Sequence, residues 1–358
     1  MAPTWIANLL QSAFLLLSWV RGPQTDLEIF SSSSCLRTAA TLEALVTCLD
    51  RFTVPHAYYD SMTYDLAQPV GTQREDWMSA IQALLSADGN CALTSIPLSL
   101  QGLYTVEPFQ EYCVLYETAS RCGTYLKGWG FFITPSSHRR VWRNIHISAP
   151  HPAYDLGTVQ QAAAVFEATG ARSLLVPGRK RTAFLSNSEC IVPTSPKQDY
   201  YRTDPAHNDH QELGGCPSSS CAFLQFHGKG ASTCPGDDIF LSSGLGNSTA
   251  SQSWYTDPTD RPVKRLHQNL QHFLPSSWKI SMPRAANTRT VTGEFVHAEQ
   301  ASTARRKEWY GAWVRAVEES FEVVCDAGLE EVAEEVKTPC LRPTTCVLRD
   351  TTGMNSEG

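Results

Sequence analysis

Residues 143–158 read Arg143-Asn-Ile-His-Ile-Ser-Ala-Pro-His-Pro-Ala-Tyr-Asp-Leu-Gly-Thr158, and this stretch decides the fold. Ile145, Ile147 and Ala149 alternate with Asn144, His146 and Ser148, which is the two-residue period of a strand. Pro150 and Pro152 forbid helix where His151 sits, so the strand delivers His151, and four residues later Asp155, to a loop at the sheet edge. From Thr158 the apolar positions fall on one helical face through Ala168, with Thr158 as the expected cap and Gly170 as the C-terminal stop. Ala171-Arg-Ser-Leu-Leu-Val-Pro177 then reads as another strand, and strand, helix, strand in that order is a βαβ crossover. The expected fold class is α/β: a mixed, partly parallel sheet flanked by helices. An imidazole and a carboxylate held a few residues apart at a strand end are what a zinc site needs as its first two ligands. A surface turn with an idle histidine is the alternative.

Two later stretches extend the pattern. Cys221-Ala-Phe-Leu-Gln-Phe-His-Gly-Lys-Gly230 is a short aromatic-rich strand in which Gly228 turns the backbone just after His227. Arriving from a different strand end, His227 completes a His151, Asp155, His227 metal set; a core histidine bonded to backbone is the other reading. In Thr290-Val-Thr-Gly-Glu-Phe-Val-His-Ala-Glu-Gln-Ala-Ser-Thr303 a strand ends on Glu299, and the helix after it stripes Trp309, Trp313, Val317 and Phe321 on one side. A strand-end carboxylate facing a metal-bound water is the expected general base of a hydrolase, and the alternative is a glutamate that caps the last helix.

The order of these three stretches resembles the zinc carboxypeptidase superfamily, and more closely its poly-γ-glutamate hydrolase and N-formylglutamate amidohydrolase relatives. The resemblance covers roughly residues 112 to 322. It implies His151, Asp155 and His227 as ligands of Zn2+, Glu299 as catalytic base, and hydrolysis of an amide in a peptide or small glutamyl-type substrate. The carboxypeptidase pattern has Glu at the third position after the first His where this chain has Asp at the fourth. No stretch matches the arginine set that holds a C-terminal carboxylate in that family.

Arg179 and Arg181, just past a strand end in Pro177-Gly-Arg-Lys-Arg181, are candidates for binding an anionic substrate group, or else a solvated basic turn. Asp204 and His207, in Asp204-Pro-Ala-His-Asn208, are candidates for substrate contact, and His207 is an alternative ligand to Asp155. A metal-dependent esterase or deacetylase, and a non-catalytic secreted binding protein, are the competing functions. No G-x-S-x-G elbow, H-E-x-x-H helix or Walker loop is present.

The chain has 358 residues, 42% hydrophobic, enough to bury a large core. With 29 basic against 36 acidic residues it has no nucleic-acid footprint. Met1 to Val20 carries no charged side chain and reads as the apolar core of a signal peptide rather than a stable membrane span. Twelve cysteines, none in a C-x-x-C pair, point to disulfides and a secreted protein. Cys35 and Cys48 flank a helical run, Cys113 and Cys122 a hairpin, and Cys216 and Cys221 a Pro-Ser-rich loop. Asn247-Ser-Thr is the one N-glycosylation sequon. The expected organisation is a signal peptide over 1–22, a helical and loop region over 23–110 packed on the core, a metallohydrolase-like domain over 111–324, and a disulfide-tied tail over 325–358.

Overall fold

The structure, a computed structural model, describes residues 31–91, 94–118, 120–186, 221–243, 255–282 and 294–323. The expected signal peptide, most of the 185–220 loop, Asp204, His207, Asn247 and the cysteine-bearing tail lie outside those residues. The strands, in chain order, are β1 Tyr104–Phe109, β2 Tyr112–Glu117, β3 Ser120–Arg121, β4 Thr124–Tyr125, β5 Phe131–Pro135, β6 Arg143–Ser148, β7 Ala171–Val176, β8 Ala222–Gly228, β9 Ile239–Ser242, β10 Ile280–Ser281 and β11 Phe295–Gln300. The helices are α1 Ser32–Thr38, α2 Leu42–Asp50, α3 Ser61–Ala67, α4 Gln73–Ser86, α5 Thr158–Thr169, α6 Pro262–Phe273 and α7 Tyr310–Ser320.

Among the described residues nine strands form one sheet in the order β1-β2-β5-β7-β6-β8-β11-β9-β10, and β3 and β4 make a small separate hairpin. The central four, β7-β6-β8-β11, run parallel. The meander of β1, β2 and β5 joins them antiparallel on one side and β9 on the other. The fold is therefore the mixed, partly parallel sheet expected from the βαβ pattern, with α5 as the crossover from β6 to β7.

Strand alternation sorts the two faces of this sheet. Ile145, Ile147, Leu224, Phe226, Val296 and Ala298 point to one face and join the main core with Val165 and Phe166 of α5, Leu266 and Leu270 of α6, and Trp313 and Val317 of α7. On the other face the sheet divides. Toward β1, Cys113, Leu115, Phe132 and Leu175 pack under Trp77, Ile81 and Leu84 of α4 in a second core. Toward β11, the register places His146, Ser148, Gln225, His227, His297 and Glu299 together on that same face. Burying polar groups there costs free energy unless each is bonded, so the sheet gives up apolar packing at this one place.

Local details depart from expectation. Gly157, with φ of 89°, precedes the helix in the left-handed region, and Thr158 is the first helical residue; its Oγ1 donates to the Asp155 carbonyl at 2.7 Å. Trp309 belongs to a short 3-10 turn ahead of α7, and Phe321 is buried just after it. The cysteine spacing leaves connectivity open; in the structure Cys35 pairs with Cys48 across the α1–α2 turn, Cys113 pairs with Cys91, and Cys122 is an exposed free thiol. Cys221 is also disulfide-bonded. The 110/111 boundary falls in the turn between β1 and β2, so β1 pairs with β2 along its whole length as part of the main sheet. Bridges from Val54 to Arg179 and from Tyr59 to Phe184 tie the N-terminal helices to the segment after β7. Among the described residues no helix is long and apolar enough to cross a membrane.

Candidate metal centre

From β6 the chain crosses through α5 to β7 on one side, while β8 lies on the other side of β6. Connections that leave adjacent parallel strands in opposite directions open a crevice at the strands' C-terminal ends, the place where open α/β sheets bind ligands. His151 lies three residues past the end of β6, and His227 is the last residue but one of β8. The loop between Pro150 and Gly157 folds back on itself, with the Asp155 amide donating to the His151 carbonyl at 2.9 Å, which brings the Asp155 carboxylate beside the His151 Nδ1 edge.

Three side-chain atoms meet in the crevice. His151 Nδ1 is 2.9 Å from Asp155 Oδ2, His227 Nδ1 is 3.1 Å from His151 Nδ1, and His227 Nδ1 is 3.7 Å from Asp155 Oδ2. The circle through these three atoms has a radius of about 1.9 Å, so a point just off their plane is ~2.0–2.1 Å from all of them, the bond length zinc makes to nitrogen and oxygen. All three residues are buried. His227 Nε2 is 3.1 Å from Gln225 Oε1, an acceptor for a proton on Nε2, and the tautomer with that proton presents the Nδ1 lone pair to the crevice.

The electrostatics suit a cation. Burial pushes the His151 imidazole below its ordinary range, with Asp155 opposing, and burial together with the neighbouring His297 holds His227 well below it. Burial alone would raise the Asp155 carboxyl, but the hydrogen bond with His151 and the nearby His227 imidazole outweigh that and hold it below the usual carboxylate range. Two neutral imidazoles and one carboxylate are the protonation states that metal binding requires.

Glu299 stands beside His227 in the pairing of β11 with β8. Its Oε1 accepts from His297 Nε2 at 3.0 Å, and the His297 ring stacks on His227 with centroids 4.0 Å apart. Burial would raise the Glu299 carboxyl; the His297 bond and the nearby imidazoles override it and leave a pKa of about 2. Glu299 is no helix cap: it is inside β11, and α7 starts at Tyr310. His227, His297 and Glu299 form a second set whose ligand atoms lie within 4.8 Å of one another and which shares His227 with the first.

The two arginines part ways. Arg179 is buried, donates to the carbonyls of Lys127 and Ala67 at 2.6 to 2.9 Å and lies over the rings of Tyr59 and Tyr64, so it props the N-terminal helices. Arg181 is half-buried, lies over the Tyr154 ring at 5.0 Å and contributes to the potential at His151. Gln225 belongs to none of the motifs, and His297, the histidine of the Val-His-Ala-Glu strand end, carries no role in its motif. Their signal is the two-residue period itself, since Gln225 precedes His227 and His297 precedes Glu299 at alternate positions of otherwise apolar strands.

No family model matches the chain, and no curated protein matches it. Among solved structures, it is similar to a provisionally assigned carboxypeptidase A from Shewanella denitrificans, with 11% identity, TM-score 0.31, and coverage of 69% of this chain and 67% of that one. It is also similar to a provisionally assigned metallopeptidase from Shewanella amazonensis, with 10% identity, TM-score 0.28, and coverage of 72% and 91%. Likenesses this remote carry no weight for function.

Proposed function

We propose that this chain is a secreted, zinc-dependent hydrolase of amide bonds, with His151, Asp155 and His227 as the metal ligands and Glu299 as the general base. The single observation that carries the reading is the triangle of His151 Nδ1, His227 Nδ1 and Asp155 Oδ2, whose circle has the radius a zinc ion needs. Two histidines and one carboxylate are a ligand set that catalytic zinc sites use, and they leave a fourth position open. When bound, zinc supplies a water whose pKa is drawn toward ~7 and a Lewis acid for the substrate carbonyl.

The chain's own residues do the rest. Gln225 fixes the tautomer and ring orientation of His227. Glu299, ionised throughout the neutral range, accepts a proton on the oxygen that is not bonded to His297 and returns it to the leaving nitrogen. Arg181, laid over Tyr154 at the rim, attracts an anionic group of the substrate. Asp204 and His207 are further candidates for substrate contact. Arg179 has no such role, because its guanidinium is taken up by backbone carbonyls and aromatic rings.

The test is metal content followed by a substrate panel. Dialysed full-length protein should retain about one zinc per chain and cleave peptide or glutamyl amides. Protein without stoichiometric metal would favour the binding-protein reading, and cleavage of esters or acetyl groups but not amides would favour the esterase or deacetylase.

A further inference from the structure

We infer that Arg305 is a positioning residue for this centre, a clamp that joins the residue following Asp155 to the residue following His227. This role rests on the proposed assignment of His151, Asp155 and His227 as ligands. Arg305 lies in the turn between β11 and α7 and is half-buried. Its Nη1 donates to the Leu156 carbonyl at 2.8 Å. The same guanidinium packs against Gly228, where a Cβ would stand 2.7 Å from Cζ. Its backbone meets the ligand loop as well, since a Cβ on Gly157 would be 3.3 Å from the Arg305 carbonyl oxygen.

The two histidine ligands come from different strands, and one of them sits on a loop that has left the sheet. A rigid planar fork of donors resting on both segments holds them at one separation, which a flexible ammonium cannot do. The contact also explains Gly228: any side chain there would displace the guanidinium.

Charge and geometry predict opposite effects, and this makes the clamp testable. Arg305 places positive charge near Asp155 and Glu299. A cation beside a metal site weakens binding of a second cation, so losing the charge alone would tighten zinc, whereas losing the clamp loosens it. Zinc affinity of the full-length protein, measured by competition with a chromophoric chelator, should fall about 10–100-fold in Arg305→Leu, the range seen when a ligand's supporting partner is removed. Arg305→Lys keeps the charge and should still lose affinity. Gly228→Ala should reproduce the defect, and combining it with Arg305→Leu should add nothing, because both break one contact. Hydrogen exchange of the metal-free proteins gives an arm that does not depend on zinc: the Asp155 and Thr158 amides, bonded to the carbonyls of His151 and Asp155, should lose protection in each variant while the interior of β8 does not. Zinc binding as tight as the parent's or tighter in Arg305→Leu and Arg305→Lys, additive losses, or unchanged exchange at Asp155 and Thr158 would each overturn the clamp. A parent that binds no zinc would instead sink the ligand assignment, and the exchange arm would still decide whether Arg305 holds the loop.

Discussion

His227 and Glu299 are paired neighbours across the parallel strands β8 and β11, each the last residue but one of its strand. That pairing sets the proposed base one strand spacing, ~4.8 Å, from the proposed ligand. Glu299→Gln keeps the shape and the His297 contact but not the basicity. It should retain zinc and fold while lowering turnover by about 10²–10⁴-fold. Full activity in this variant would remove Glu299 from the mechanism.

Loss of a ligand should act on the metal first. Alanine at His151 or His227 should abolish stoichiometric zinc. In the parent, zinc at a hundred times its dissociation constant should stabilise the fold by about 2.7 kcal/mol, seen as a rise in Tm that a chelator reverses. Equal zinc-dependent shifts in parent and variants would place the metal elsewhere.

His146 predicts an acid limb of stability. It is buried, stacked on Phe223 and bonded through Nδ1 to Ser173 Oγ at 2.8 Å, and burial pushes its pKa down to about 3. An unfolded-state imidazole titrates near ~6.5. Below that pH the unfolded chain takes up a proton that the folded chain refuses, so stability falls as pH drops from about 6.5 toward 3, by several kcal/mol as an upper bound. Urea melts across this window should show a shallower limb in His146→Gln; a limb parallel to the parent's would exclude His146 as its source.

The cysteines make a prediction about pairing. Peptide mapping under non-reducing conditions should recover Cys35 with Cys48 and Cys91 with Cys113, and a thiol reagent should label Cys122 in the folded protein. Replacing Cys35 and Cys48 by alanine should cost about 3 kcal/mol, the entropy of the short loop they close. A Cys113–Cys122 peptide would contradict the fold around β2.

Gly130 is a backbone constraint. Its φ is 108°, and a Cβ there would run into the Val176 carbonyl oxygen and stand 2.6 Å from Pro177 Cα. Both partners are main chain and neither can swing aside. Gly130→Ala should therefore lose about 3 kcal/mol or more, or fail to accumulate as soluble protein. A Tm within a few degrees of the parent's would show that β5 and β7 can separate there.

Much of this protein was legible along the chain. Strand period, proline brackets and a glycine stop are local signals, which is why β6, α5 and β7 stand where the stretch from Arg143 to Pro177 put them. The segments bearing His151, His227 and Glu299 were legible for the same reason, as short apolar runs that end on a polar residue. Alternation also carried Gln225 and His297, although a polar residue inside a strand says nothing of its partner until the neighbouring strand is known.

Pairing was decided only in three dimensions. That β8 lies against β6 on the side away from β7 follows from how all nine strands share one sheet, and this opens the crevice in which His151 meets His227. Cys113 chose Cys91 over Cys122 because β2 and the segment after α4 pack together, a proximity that sequence spacing does not encode. Arg179 and Arg181, two residues apart, went to different tasks because the chain bridges Val54 at Arg179 and turns at Arg181, so one met backbone carbonyls while the other met Tyr154. Arg305 carries no motif at all. Its place against Leu156 and Gly228 exists only once three separate segments close on it. Sequence by itself determined the elements and the chemistry they carry, because those rest on neighbours in the chain; which atoms come within bonding distance was left to the packing of the whole sheet.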